Sequence, residues 1–180
     1  MSPDGSPTPV LLIYDTDTIM LKGVVPSASG KDRLELLAEA NSQTPASLVD
    51  DLIINPHIPV GVGVRVIELN SARFPSGSAT VLAAHGLELA RVATAMKALP
   101  NTSVVVVGHA DQRGDTAANV VISGRRAHAV VDYLGSLGVE TSRLSARAAG
   151  ASDLLTVDDN AAALALNRRT EFIFYGLLVE

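Results

Sequence analysis

The chain has 180 residues, of which 47% are hydrophobic, 18% charged and 3% aromatic, with no cysteine, no tryptophan and a formal net charge of −5. Such a chain can bury a core of Val, Leu, Ile and Ala and does not have the composition of a disordered one. The same numbers exclude disulfides, thiolate metal sites and cysteine nucleophiles. They also argue against a nucleic-acid partner, which needs a positive field and rings for stacking.

The acidic excess is local. Residues 1–62 carry eight acidic and three basic side chains, and the remainder is balanced, which suits two modules with different surfaces. No apolar run is as long as a membrane span. Residues 1–7 have neither the basic start nor the apolar core of an export signal, so a signal or anchor is expected to be absent from this chain.

Residues 1–8 read as a flexible lead. An apolar strand is predicted over residues 10–14, then a turn at Asp15-Thr16-Asp17, then a second strand over 18–25, the pair forming a hairpin. Ser27 or Ser29 is placed to cap a helix that runs to about residue 41, with Leu34, Leu37 and Ala38 inward. A third strand follows over 48–54. Pro56, Pro59, Gly61 and Gly63 resist helix and central strand alike, so residues 56–63 read as a linker.

The second part predicts a strand over 64–69, a loop over 70–73 and a long helix over 75–98 carrying Leu82, Leu89, Val92 and Met96 on one stripe. The β-branched run of residues 104–107 marks a strand. Gly108-His109-Ala110-Asp111-Gln112-Arg113-Gly114-Asp115 reads as a loop. A helix over about 116–137 presents Val120, Ala127, Val130, Val131 and Leu134, with Gly138 as its left-handed cap. A strand over 144–148, a polar loop over 150–160, a short helix and a strand over 169–178 complete the chain. Strands alternating with helices predict an α/β (α+β) fold, a sheet covered by helices.

Chemistry concentrates in residues 108–127. Asn119, Ser123 and Arg126 lie at i, i+4 and i+7 and share a helix face. Asp111 hangs from the preceding loop, so a carboxylate and a guanidinium are expected to oppose each other across a small cleft. A zwitterionic amino acid fits such a cleft, its ammonium on Asp111 and its carboxylate on Arg126; a purely structural ion pair is the alternative. Gly108 and Gly114 serve the loop or a close ligand approach. Of Arg168 and Arg169, one is expected at the cleft and the other in solvent. Asn70 and Ser71 are placed in a loop opening on the same side.

Other chemistries find less support. His109 and Asp111 supply at most two metal ligands and His128 points elsewhere, fewer than zinc requires, so no metal is expected. His57 and His85 read as ordinary surface residues. Ser123 lacks the Gly-x-Ser-x-Gly elbow, and no phosphate-binding Gly-x-x-x-x-Gly-Lys loop is present. The chain is therefore read as a binding protein without catalysis or cofactor.

The string Gly108-His109-Ala110-Asp111-x-x-Gly114, then Asn119, then Ile122-Ser123-x-x-Arg126-Ala127, resembles the peptidoglycan-binding OmpA-like domain. Asn167-Arg168-Arg169-Thr170-Glu171-Phe172 is similar to that family's closing strand, and the resemblance covers roughly residues 64–175. It implies a two-layer αβ sandwich with a mixed sheet. It also implies that Asp111 and Arg126 grip the diaminopimelate of the peptidoglycan stem peptide, with Gly108, Ala110, Gly114, Asn119, Ser123, Arg168 and Asn70 around them. The cell envelope would be its location, on the periplasmic, outer-membrane or wall side. Three positions depart from the pattern: Ala110 replaces a Thr, Ala163-Leu164 replaces Gly-Arg, and Ala148-Ala149-Gly150 replaces a glycine-aromatic-glycine loop.

Residues 9–55 resemble a BON-type module of ββαβ order, on the strength of Leu21-Lys22-Gly23-Val24-Val25. That resemblance implies contact with the membrane or with envelope proteins. The alternative for the whole chain is a degenerate OmpA-like scaffold for assembly or oligomerisation, tied to a membrane pore or secretion machine.

Overall fold

In a computed structural model, residues 10–15, 17–40, 47–58, 61–68 and 73–178 are described. The predicted lead of residues 1–8 lies outside them, as do Asn70 and Ser71. The strands are β1 (Val10–Tyr14), β2 (Thr18–Val25), β3 (Ser47–Ile54), β4 (Val64–Glu68), β5 (Ser103–His109), β6 (Leu144–Gly150) and β7 (Thr170–Tyr175). The helices are α1 (Ala28–Ala40), α2 (Gly86–Ala98), α3 (Thr116–Ser136) and α4 (Ala161–Asn167). By contact density the chain divides into two units. One comprises Met1–Asn70, Asn101–Ser103 and Phe172–Glu180; the other comprises Ser71–Pro100 and Val104–Glu171.

The first unit is a mixed sheet in the order β3-β2-β1-β4-β7. The predicted hairpin is present: β1 and β2 pair antiparallel, Leu12 opposite Leu21, and Asp15 N–H donates to the Thr18 carbonyl at the turn. β3 adds parallel to β2, and β4 adds parallel to the other edge of β1. Ser27 caps α1, its Oγ accepting from Gly30 N at 3.1 Å. Gly30, Leu34 and Ala38, spaced four apart, form the buried stripe of α1, as the helical period requires. β7 ends earlier than predicted, at Tyr175, because Gly176 turns with φ +86°; a Cβ there would lie 2.6 Å from the Asn101 carbonyl oxygen.

In the second unit β5 and β6 pair in parallel, joined by α3, which packs on β6 and on α2. Asp115 caps α3 by accepting from Ala118 N at 2.9 Å, and Gly138 follows it in the left-handed region at φ +86°.

The predicted helix over residues 75–98 is halved. It begins as one 3-10 turn at Ala83–His85 and becomes α2 at Gly86. Upstream, Pro75-Ser76-Gly77-Ser78 is a tight turn closed by Ser78 N–H to the Pro75 carbonyl at 3.1 Å, with Gly77 at φ +67°. A left-handed glycine cannot continue a right-handed helix. Leu82, assigned to the apolar stripe, is therefore 39% exposed. His85, expected on the surface, is buried: its ring stacks obliquely on Phe74 at 4.7 Å and its Nδ1 accepts from Leu82 N.

Candidate functional site

A cleft of about 890 Å³ opens in the second unit between the Ser76-Gly77 turn, the loop after β5, the first half of α3, and α4 with Arg168 just beyond it. Asp111, Arg126 and Arg168 all line it.

The buried stripe of α3 is Ser123, Arg126, Ala127, Val130 and Leu134. The predicted stripe began at Val120, which is instead 45% exposed. The i, i+4 spacing of 126, 130 and 134 puts the arginine in line with Val130 and Leu134, so the inward face changes from apolar to polar towards the N-terminus of the helix. Ser123 is fully buried there; its hydroxyl donates to the Val120 carbonyl and accepts from Gly150 N at 2.9 Å.

Gly108 lies within β5, and its service is to the helix. A Cβ at Gly108 would stand 2.0 Å from the Ser123 carbonyl oxygen. Gly114 serves the loop, with φ +85°. Ala110 is 2% exposed, its N–H donating to the Gly150 carbonyl at 2.7 Å. Asn119 binds the loop backbone, Nδ2 donating to the Asp111 and Arg113 carbonyls at 3.2 and 3.0 Å.

Arg126 is 1% exposed and donates from Nε to Ser78 O at 2.9 Å, from Nη1 to His109 O at 2.9 Å and from Nη2 to Pro75 O at 3.2 Å. Its guanidinium lies over the Phe74 ring, 5.2 Å from the centroid. Two of those carbonyls come from the turn misread as helix, where they would have been spent on helical hydrogen bonds. Burial, and then the Arg168 charge, push the Arg126 pKa down to about 10, with Asp111 opposing; it stays a cation at neutral pH.

Asp111 is ion-paired with Arg168, not with Arg126. Its Oδ2 accepts from Arg168 Nη1 at 2.9 Å and its Oδ1 from Arg113 N at 3.1 Å. The Asp111 and Arg168 side chains are 13% and 16% exposed, and Arg168 Nε donates to Phe74 O at 3.0 Å. An ionised carboxylate offers about four acceptor positions, so these two bonds leave Asp111 able to accept more.

One arginine of the Arg168-Arg169 pair was expected in solvent, and neither is there: Arg169 is 1% exposed. Its guanidinium is clamped on Glu171, with Nε to Oε1 at 2.6 Å, and also donates to the Asp153 carbonyl at 3.1 Å. Beside it His109 is buried, Nε2 lying 3.4 Å from Glu171 Oε2. The His-x-Asp side chains thus serve different partners. Sequence reasoning also missed Asn167. This side chain is fully buried and accepts from Leu155 N and Thr156 N while donating to Gln112 Oε1 at 3.0 Å, so it fastens the 150–160 loop to the motif loop. At the rim, exposed Arg113 pairs with Asp159 at 2.9 Å.

Burial holds the His109 imidazole below its ordinary value, outweighing Glu171, and burial does the same to His85. The unfolded chain then takes up protons that the folded chain refuses, so stability falls as pH drops below about 6.5. Each such group contributes a slope of at most about 1.4 kcal/mol per pH unit. Urea midpoints at pH 7.5 and 5.5 should fall less for His109→Gln than for the parent; equal falls would count against a buried neutral imidazole.

Residues 73–168 match the OmpA family. The peptidoglycan-associated lipoprotein of Agrobacterium fabrum is 32% identical over 140 residues, covering 78% of this chain and 72% of that protein. The peptidoglycan-binding protein ArfA of Mycobacterium tuberculosis is 25% identical over 173 residues. That alignment covers 90% of this chain but 53% of ArfA, so the chain spans about half the length of that relative. Among solved structures, the peptidoglycan-associated lipoprotein from Burkholderia pseudomallei aligns with a TM-score of 0.55 at 26% identity, over 57% of this chain and 86% of that one. With more than half its length matched, and with a relative above 30% identity covered over most of its own length, the chain belongs to the OmpA family.

Proposed function

We propose that this chain binds cell-wall peptidoglycan non-covalently and without catalysis, by taking the diaminopimelate of the stem peptide into the Asp111–Arg126–Arg168 cleft. The observation that carries this reading is the convergence of the Asp111 carboxylate with the Arg126 and Arg168 guanidinia on one opening. Asp111 receives the ammonium in its remaining acceptor positions, and Arg126 turns its remaining N–H groups to the carboxylate. Gly108, Asn119 and Ser123 position these groups, while Ala110 and Gly114 shape the loop wall. The names of the relatives, peptidoglycan-associated and peptidoglycan-binding, support peptidoglycan as the polymer. The envelope, on the wall side, is then where the chain works.

The order β1-β2-α1-β3 supports a BON-like reading of residues 9–55, a module that would contact membrane or envelope neighbours; residues 56–63 would link it to an OmpA-like domain of 64–180, although β4 and most of β7 fall in the first unit. Single stem peptides should bind weakly, and anchoring would come from many contacts with one polymer.

Asp111→Asn tests the proposal. It keeps the side-chain shape and removes the charge. Pull-down by purified sacculi is expected to fall about tenfold or more, the worth of a charge-assisted hydrogen bond, with the thermal melt showing a folded protein. Undiminished pull-down would sink the site. One observation favours the scaffold alternative: Asp111 already holds a close ion pair with Arg168. Titration of the parent with a diaminopimelate-containing peptide decides between them, since a scaffold shows no amide shifts over residues 108–126.

A further inference from the structure

Four arginines line the cleft, Arg113, Arg125, Arg126 and Arg168, against one carboxylate, Asp111. Three are committed: Arg113 to Asp159, Arg168 to Asp111, and Arg126 to three backbone carbonyls. Arg125 differs. It is exposed on α3 and, among the described residues, makes no hydrogen bond or ion pair.

Its position matters too. The cleft runs on into a second, shallower groove of about 480 Å³ along α3, and Val121 and Arg125 line both. Val120 and Val121 there are 45% and 53% exposed. The acid of that groove, Asp132, is seven residues on, roughly 10 Å along a helix, so it does not cancel Arg125 locally.

We propose that Arg125 is a second anion subsite, which takes a further carboxylate of the ligand whose zwitterion sits at Asp111 and Arg126, the intervening carbon chain lying over Val121. The inference rests on the peptidoglycan reading and names what that ligand must carry. Charge balance favours it. Once Arg113 and Arg168 are matched by Asp159 and Asp111, the charges of Arg125 and Arg126 have no carboxylate against them, Arg126 being held by neutral carbonyls alone, whereas a simple zwitterion brings one carboxylate. A ligand with one ammonium and two carboxylates meets both. Being exposed, the Arg125 contact is screened by salt.

The test uses the full chain and two diaminopimelate-containing stem peptides that differ in whether the carboxylates outside the zwitterion are free or amidated. The parent is expected to bind the free acid about two- to five-fold more tightly, the range of an exposed ion pair, with the preference shrinking as salt rises. Arg125→Gln should bind both peptides equally, and Arg125→Lys should restore the preference. A parent that binds both alike, or an Arg125→Gln variant that keeps the preference, overturns the subsite alone. Failure of the parent to bind either peptide overturns the cleft reading and the subsite with it.

Discussion

Gly108→Ala is expected to destabilise the second unit by about 3 kcal/mol or more, at the upper end of overpacking effects, although it adds one methyl group. The new Cβ would stand 2.0 Å from the Ser123 carbonyl oxygen, 2.9 Å from its carbon and 3.2 Å from Ala127 N. All three are backbone atoms, so no rotamer change relieves the clash; β5 and α3 must separate. Separation breaks the Ser123 Oγ bond to Gly150 N and moves Arg126 away from the His109 carbonyl. Loss of stability and loss of sacculus binding should therefore appear together. Gly124→Ala is the control. Its Cβ would meet the Ala148 methyl at 3.4 Å, an ordinary contact, and alanine is favoured over glycine in a helix by up to about 1 kcal/mol. A urea titration that finds Gly108→Ala as stable as Gly124→Ala would show that the strand and helix can part freely.

That contrast bears on what the residues announced beforehand. Strand β5 was legible because a run of valines has few other uses, and α3 because its apolar residues fall at the helical period and Gly138 stops it. The candidate site residues were legible as a set, since Asn119, Ser123 and Arg126 share a helix face and Asp111 hangs from the loop before it. Their environment was not. Hydropathy reads arginine as a surface residue, yet Arg126 and Arg169 are among the largest fully buried side chains. Each is held by acceptors brought from elsewhere in the chain: Pro75 and Ser78 for Arg126, Asp153 for Arg169. Helical periodicity did contain the answer for Arg126, because 126, 130 and 134 share a face, although the apolar stripe was begun at Val120. The stretch 75–82 failed for a related reason. Its apolar spacing permits a helix, and a single left-handed glycine at position 77 forbids one.

Arg126→Ala should accordingly unfold more than a binding site. Were Arg126 on a polar rim, as its sequence context suggests, the substitution would leave the fold intact. At 1% exposure it cannot. Removing the guanidinium strands the carbonyls of Pro75, Ser78 and His109, takes the cation from the Phe74 ring and leaves a cavity between α3 and the 75–78 turn. Each buried carbonyl left without its donor costs about 1–3 kcal/mol, so the three together put the loss at about 3 kcal/mol or more. The loss should be felt first in residues 74–82, whose hold on α3 is this side chain, so their amide hydrogens should exchange faster well below the global melt. Arg126→Lys separates folding from recognition. An ammonium keeps the charge but cannot present a planar fork to three carbonyls and a ligand carboxylate together. It should fold, with a reduced melting temperature, and bind sacculi weakly. An alanine variant that melts with the parent and exchanges normally over 74–82 would mean that the guanidinium is not the clamp described here, and the cleft would have to be held open by something else.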